Sequence, residues 1–204
     1  MTDIIFEEFP HNKSKMYIKM SGGVDSSLLA YCIAKHVIDN NIKVSLHPMI
    51  IIEPSAPFQE LFATKIIKIV EDLLNIKFSK PVVYNLGVGE NKIQKMRSIE
   101  KSLMDDKTVI ASGTTQYPRD PEFNVPGGPE DLRIGVFPVL WEENIFTPFI
   151  NLDKREIAEI YKKHDLMQTL LPHTRSCVFE TNNFEQVCGE CWWCKEREWA
   201  FGLR

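Results

Sequence analysis

The chain has 204 residues, 44% apolar and 25% charged, with a formal net charge of −4 and a pI of about 5.8. That composition is of a folded globular protein of one domain with room for a small appendage, and it excludes disordered and membrane classes. An acidic balance argues against a nucleic-acid partner, which calls for a basic stripe. The nearest approach to one, Lys92, Lys95, Arg97 and Lys101, is diluted by Glu90 and Glu100. The N-terminus carries early acids and no signal-peptide core. No run reaches the ~20 apolar residues of a membrane span. The expectation is a cytoplasmic protein that acts on a small molecule, with no membrane partner.

Strand-like and helix-like segments alternate, which predicts an α/β fold with a mostly parallel sheet covered by helices. Met16–Met20 reads as the first strand and 26–39 as a helix with Leu29, Ile33 and Val37 at a spacing of four. Residues 43–52 read as the second strand, stopped by Glu53-Pro54, and 58–74 as a strongly amphipathic helix. A strand at 81–85, a helix at 92–104 and a strand at 107–111 follow. Residues 117–135, with four prolines and three glycines, read as a long irregular loop; such loops are usually functional or mobile. Residues 145–150 read as a further strand, 153–164 as a helix with Asp153 near its cap, and 195–201 as the last regular element.

Two motifs carry chemistry. Ser21-Gly22-Gly23-Val24-Asp25-Ser26-Ser27 follows a strand and opens a helix. Glycines let the backbone turn tightly against a ligand. A helix start offers free N–H groups and the positive end of its dipole to an anion, and Ser21, Ser26 and Ser27 add hydroxyls. This is a phosphate cradle. It is neither a Walker loop, since no lysine follows the glycines, nor G-x-G-x-x-G. The second motif is Cys177 with Cys188-Gly189-Glu190-Cys191-Trp192-Trp193-Cys194. Four thiolates in C-x-x-C-x-x-C spacing with a fourth upstream suit tetrahedral zinc, and Gly189 permits a tight knuckle. In a reducing compartment such a cluster reads as a metal site before a disulfide framework. An iron–sulfur cluster uses the same ligands, and spacing does not separate the two.

The turn resembles the SGGxDS signature of the PP-loop ATP pyrophosphatases, which cleave ATP between the α and β phosphates to adenylate a substrate. The chain as a whole resembles the 7-cyano-7-deazaguanine synthases of the queuosine pathway. Ser21–Ser27 matches their nucleotide loop. Ser112-Gly113 with Tyr117-Pro118-Arg119 and Glu122-Phe123 is similar to their strand-end glycine and Y-P…R…E-F stretch. Thr147-Pro148-Phe149-Ile150 with Leu152, Lys154 and Glu156 is similar to T-P-L…L-x-K-x-E, and Ser176-Cys177 through Cys194 with Arg197 to their zinc knot. The family normally has V-P-G-R-N ahead of the third helix. Here Gly87-Val88-Gly89-Glu90-Asn91 puts an acid where an anion donor is expected, which opens the substrate to a different acid.

The resemblance implies an adenine-nucleotide α-hydrolase-like sheet with helices on both faces over residues 1–165 and a zinc knot over 166–204. It implies ATP, Mg2+ and Zn2+ as cofactors and a homodimer. The substrate would be 7-carboxy-7-deazaguanine or a similar carboxylate, taken with ammonia to an amide and then a nitrile through an acyl-adenylate. The implied nucleotide residues are Ser21, Gly22, Gly23, Val24, Asp25, Ser26, Ser27 and Gly113. Asp25, Ser26 and Arg119 are the catalytic candidates, and Cys177, Cys188, Cys191 and Cys194 the metal ligands.

Other residues have two readings each. Asp25 holds Mg2+ or braces the loop. Arg119 meets an anion bidentately or lies on the surface. Arg97 and Lys92 reach phosphate or lie on a solvated helix face. His173 is structural or faces substrate, and Arg197 braces the knot or reaches the site. Cys32 falls on an apolar helix side and reads as core. Trp192 and Trp193 stack on a flat ring or pack the knot. Lys154 and Glu156 read as ordinary first-turn ion pairing. Two functions compete with the nitrile synthase: a sulfur-inserting or sulfate-reducing relative, which needs a reactive cysteine outside the metal set, and a non-catalytic nucleotide-binding protein, for which Glu90 argues.

Overall fold

The computed structural model of the chain describes residues 6, 8–54, 56–89, 91–128, 135–141, 144–180 and 182–202, apart from the side chain of Lys92. The sequence predicts a role for Glu90, which lies outside these residues. The order is β1 (Lys15–Met20), α1 (Val24–Asp39), β2 (Ser45–Ile52), α2 (Gln59–Leu74), β3 (Val82–Asn85), α3 (Lys92–Leu103), β4 (Thr108–Ala111), β5 (Leu140–Trp141), β6 (Ile145–Phe146), α4 (Lys154–Lys163), a 3-10 turn (Leu171–His173) and α5 (Trp192–Phe201). One six-stranded sheet runs β3-β2-β1-β4-β6-β5, parallel throughout except for the β5–β6 pair.

The two faces of the sheet follow from alternation along the strands. Met16, Ile18 and Met20 of β1 and Val109 and Ala111 of β4 enter the larger core cluster, with Leu28, Leu29 and Ile33 of α1, Ile66 and Val70 of α2, Ile157 and Tyr161 of α4 and Phe201 of α5. Met49, Ile110 and Ile99 of α3 form a smaller cluster with Tyr17, Ile51 and Tyr84 packed against it. Helices therefore cover both faces. Leu166, Leu170 and Leu171, beyond the boundary expected at residue 165, belong to the larger cluster. Among the described residues no helix is long and apolar enough to cross a membrane.

Several elements differ from expectation, among them α5, which begins at Trp192 rather than at 195, and β2, which begins at Ser45 rather than at 43. Helix α1 begins at Val24, because Gly23 already has extended cap geometry (φ −76°, ψ 167°). The strand expected over 145–150 stops at Phe146. Pro148 has no N–H for the ladder, and Ile150 instead closes a turn by donating to the Thr147 carbonyl (3.1 Å). Strand β5 has only two residues, too few for alternation to reveal. Helix α4 starts as expected, with a reciprocal capping box between Asp153 and Glu156.

Strand order places the functional end. The chain moves from β1 to β2 to β3 on one side, then returns through α3 to β4 on the other side of β1. The carboxyl ends of β1 and β4 thus flank a topological switch point, where open parallel sheets leave a crevice. The Ser21–Ser27 turn leaves β1 there, and Gly113 follows β4. Gly113 lies so close that a Cβ would sit 3.0 Å from the Asp25 carbonyl group. Gly22 has φ +76°, and a Cβ there would fall 2.4 Å from Phe62 Cβ and 2.8 Å from the Ala63 amide nitrogen of α2. Gly22→Ala combines a left-handed penalty with overpacking and is expected to lose about 2–4 kcal/mol. A lower urea midpoint at unchanged slope would show it.

Candidate functional site

The turn after β1 is built by its own hydroxyls. Ser27 Oγ donates to the Gly23 carbonyl (2.7 Å) and Ser26 Oγ to the same oxygen (3.2 Å). The Ser21 amide donates to Ser26 Oγ (3.2 Å), and the Gly23 amide to Ser21 Oγ (3.3 Å). Ser27 is wholly buried, which makes it a brace of the turn. No side chain caps α1. The leading N–H groups of that helix therefore face the crevice as a ready anion site. From α4, Tyr161 donates its hydroxyl to the Val24 carbonyl (2.9 Å) and fixes the first turn from behind.

Asp25 sits at the crevice floor. One carboxylate oxygen binds the Lys154 ammonium. The other, Oδ1, is buried and has no partner among the described residues. Lys154, on the first turn of α4, is 6% exposed and also pairs with Glu196 of α5 at 3.3 Å. Burial alone would push this ammonium down, but the Asp25 and Glu196 carboxylates outweigh it and raise its pKa. Lys154 is therefore a fixed cation between two anions. These three side chains line a pocket of about 110 Å³ with Gly113, Tyr117, Trp192 and Trp193. Trp192 is 4% exposed, lies 5.5 Å from Tyr117 and 5.7 Å from Phe123 by ring centroids, and its indole N–H has no partner among the described residues. The tryptophans thus wall the pocket and pack the knot at once.

The four predicted cysteines meet. Their sulfurs all lie within 4.8 Å of one another, with Cys177–Cys188 at 3.6 Å and Cys188–Cys194 at 3.9 Å. A tetrahedron with metal–sulfur bonds of about 2.3 Å has edges of about 3.8 Å, so the donor set fits one ion. Amides of Cys188 and Cys191 donate to the sulfurs of Cys177 and Cys188 at 3.3 Å, the outer hydrogen bonding that fixes metal thiolates. Burial opposes a Cys188 thiolate, yet the amides of Glu190 and Cys191 and the neighbouring thiols bring its pKa down to about 6. His173 is not among the clustered ligands. It lies in the 3-10 turn, beside a larger cavity of about 860 Å³ bordered by Phe62, Lys65, Cys188 and Arg197.

Arg175 wires the knot together. Its guanidinium donates to the carbonyls of Phe179, Phe184 and Gln186 at 2.6–2.7 Å and lies over the rings of Phe58, Phe62 and Phe184. Its amide donates to the Gly22 carbonyl (2.9 Å). Arg197 braces the knot and lies outside the small pocket, donating to the Leu171 and Thr174 carbonyls and to Thr174 Oγ1. Arg119 binds Gln116, the Asn151 carbonyl and, at 3.6 Å, Glu156, outside the small pocket. Arg97 is exposed on α3. Cys32 is 4% exposed, and burial pushes its thiol up to about 12.

Sequence reasoning treated Lys154 as a surface pair and passed over Glu196 and the clasp of Arg175 on Gly22. The available signals were the place of Lys154 in the Leu152, Lys154 and Glu156 motif and a lysine in the first helical turn, where the dipole disfavours it.

No curated protein matches the chain. The family model described as Queuosine biosynthesis protein QueC matches residues 139–203, less than half of the chain. Among solved structures, the U34-tRNA thiolase NcsA from Methanococcus maripaludis with its 4Fe–4S cluster is similar, with TM-score 0.50 and 13% identity over 81% of this chain. This chain spans 62% of that one, and at such identity the likeness is of fold. Arg175→Ala strands three carbonyls that now accept from a cation. It is expected to cost at least about 3 kcal/mol, checked by chemical denaturation of the metal-loaded protein.

Proposed function

We propose that this chain, a QueC-like protein of the PP-loop fold, binds ATP at the Ser21–Ser27 turn and adenylates a small carboxylate of the 7-carboxy-7-deazaguanine type. The observation that carries the reading is the uncapped start of α1 at the switch point, with Asp25 Oδ1 unpartnered beside it. Exposed amides favour phosphate. A carboxylate next to them suits a cation that travels with the phosphates, and Mg2+ would supply charge neutralisation there. The substrate carboxylate oxygen attacks the α phosphorus and pyrophosphate leaves. Ammonia then attacks the acyl carbon, AMP leaves, and the nitrogen gives up a proton. A second adenylation, on the amide oxygen, lets that oxygen depart with AMP as the nitrile forms and the nitrogen loses its remaining protons. Turn amides would hold the phosphates, Asp25 would hold the cation, and the walls of Tyr117, Trp192 and Trp193 suit a flat ring. The knot is read as a structural zinc site, supported by its sulfur spacing.

A second reading is sulfur insertion, favoured by the likeness to a thiolase. With a cysteine as sulfur carrier it needs a thiolate outside the metal set, whereas an iron–sulfur cluster on the four sulfurs, the kind of group that thiolase carries, would need none. The only cysteine outside the set is Cys32, which is sealed and strongly disfavoured as a thiolate.

The test is incubation with ATP, Mg2+, ammonium and 7-carboxy-7-deazaguanine while product mass, AMP and pyrophosphate are followed. Amide or nitrile is expected with equal AMP and pyrophosphate, and Asp25→Asn should reduce kcat/KM at least ~100-fold. AMP without change in the acid favours sulfur chemistry, and ATP binding without turnover favours a non-catalytic protein. Separately, elemental analysis is expected to find one zinc and no iron per chain. Chelation should lower the Tm, because such sites contribute folding free energy. Metal-free protein that melts unchanged would remove the zinc assignment.

A further inference from the structure

Glu196 belongs to the knot by position and to the turn by contact. It lies two residues after Cys194 in the first part of α5, is 4% exposed, and holds Lys154 at 3.3 Å. Lys154 in turn holds Asp25. One ammonium thus joins the starts of α1, α4 and α5. Packing does not require this, since well-packed apolar groups often replace a buried ion cluster without loss. The opposite side of the turn is also held from the knot. Arg175, two residues before Cys177, clasps the Gly22 carbonyl with its amide. Residues next to the first and last metal ligands therefore grip the turn at Gly22 and at Asp25.

We propose that Glu196 is a positioning residue for the nucleotide turn, acting through Lys154 on Asp25, so that the intact cysteine knot sets the readiness of the turn for its ligand. With two carboxylates to serve, the ammonium occupies one place, and Asp25 keeps one oxygen committed and one free. With Glu196 neutral, the ammonium has a single anion. It shifts onto Asp25, competes for the free oxygen and loosens the first turn of α1. An opposing effect exists, because deleting a carboxylate near bound phosphates favours them electrostatically. The sign of the change in ATP affinity decides between the two. The proposal rests on the reading of the turn as a nucleotide site, but its first readout does not.

The experiment compares wild type, Glu196→Gln, Glu196→Asp, Asp25→Asn and the Asp25→Asn/Glu196→Gln double variant as full-length metal-loaded protein. Amide hydrogen exchange over residues 21–27 is measured without nucleotide, then the Kd for ATP by calorimetry, with metal content as control. Glu196→Gln is expected to keep its metal and the protection of residues 177–194. It should speed exchange in the turn and raise the ATP Kd, each about tenfold, a coupling usual between charged neighbours. Glu196→Asp should restore part of both. In the Asp25→Asn background the Glu196 change should add nothing. Unchanged exchange in the turn, tighter ATP binding, loss of metal from Glu196→Gln, or additive effects in the double variant would each overturn the proposal. Loosened exchange in a protein whose wild type binds no ATP would leave this proposal standing and remove the nucleotide reading.

Discussion

A lysine ammonium with almost no access to water must find its charge balance inside the protein, and Lys154 finds it in Asp25 and Glu196. Desolvating such a group costs several kcal/mol, and breaking a buried pair costs about 3–5 kcal/mol because the survivor is stranded. Losing either carboxylate is therefore felt by all three residues. Any arrangement that keeps the cluster must hold α1, α4 and α5 at fixed distances. Tyr161, one face of α4 further on, makes the same demand by giving its hydroxyl to Val24. Its burial, beside Asp25, pushes the phenol well above its usual pKa, so this donor stays protonated. Two polar ties from one helix thus fix the turn where α1 begins.

The segment after α4 has little regular structure between residues 174 and 191 and contributes few apolar side chains to the core. Its backbone groups still need partners. Two arginines supply them, Arg175 to three carbonyls inside the knot and Arg197 to the carbonyls of the preceding turn. Burial lowers the Arg197 pKa, yet a guanidinium keeps its charge and fixed fork of donors. The four sulfurs tie what the arginines cannot. Guanidinium and backbone carbonyl here do the work that aliphatic packing does under the sheet, and the four clustered sulfurs are placed to add a metal tie.

Much of this was legible in order along the chain. The Ser21–Ser27 turn, the helix periods and the cysteine spacing are local patterns, and each falls where it was expected. The unread part is non-local. Lys154 and Glu196 look like members of charged helical surfaces, in Asp-Lys-Arg-Glu and Lys-Glu-Arg-Glu respectively. Only the docking of α5 on α4 and of α4 on α1 turns them inward. The same holds for Arg175, whose amide contact with Gly22 spans most of the chain. Strand β5 was missed for a different reason, since two residues carry no period. Arg119 was read from a motif, and the structure adds what the motif lacks, its engagement with Gln116, Asn151 and Glu156.

The polarity of the crevice narrows what it suits. The start of α1 contributes partial positive charge through its unpaired amides, while Asp25, Lys154 and Glu196 together carry one net negative charge a few ångströms away. A bare phosphate would gain from the first and be repelled by the second. A bare cation would meet the reverse. A phosphate chain carrying its own divalent cation satisfies both, with anionic oxygens toward the amides and the cation toward the uncommitted Asp25 oxygen. That pairing also explains why a carboxylate at the second residue of the helix is tolerated beside a phosphate cradle. Under the proposed function the turn would take the metal complex of a nucleotide, with Lys154 holding the Asp25 carboxylate in register rather than competing for the phosphate itself.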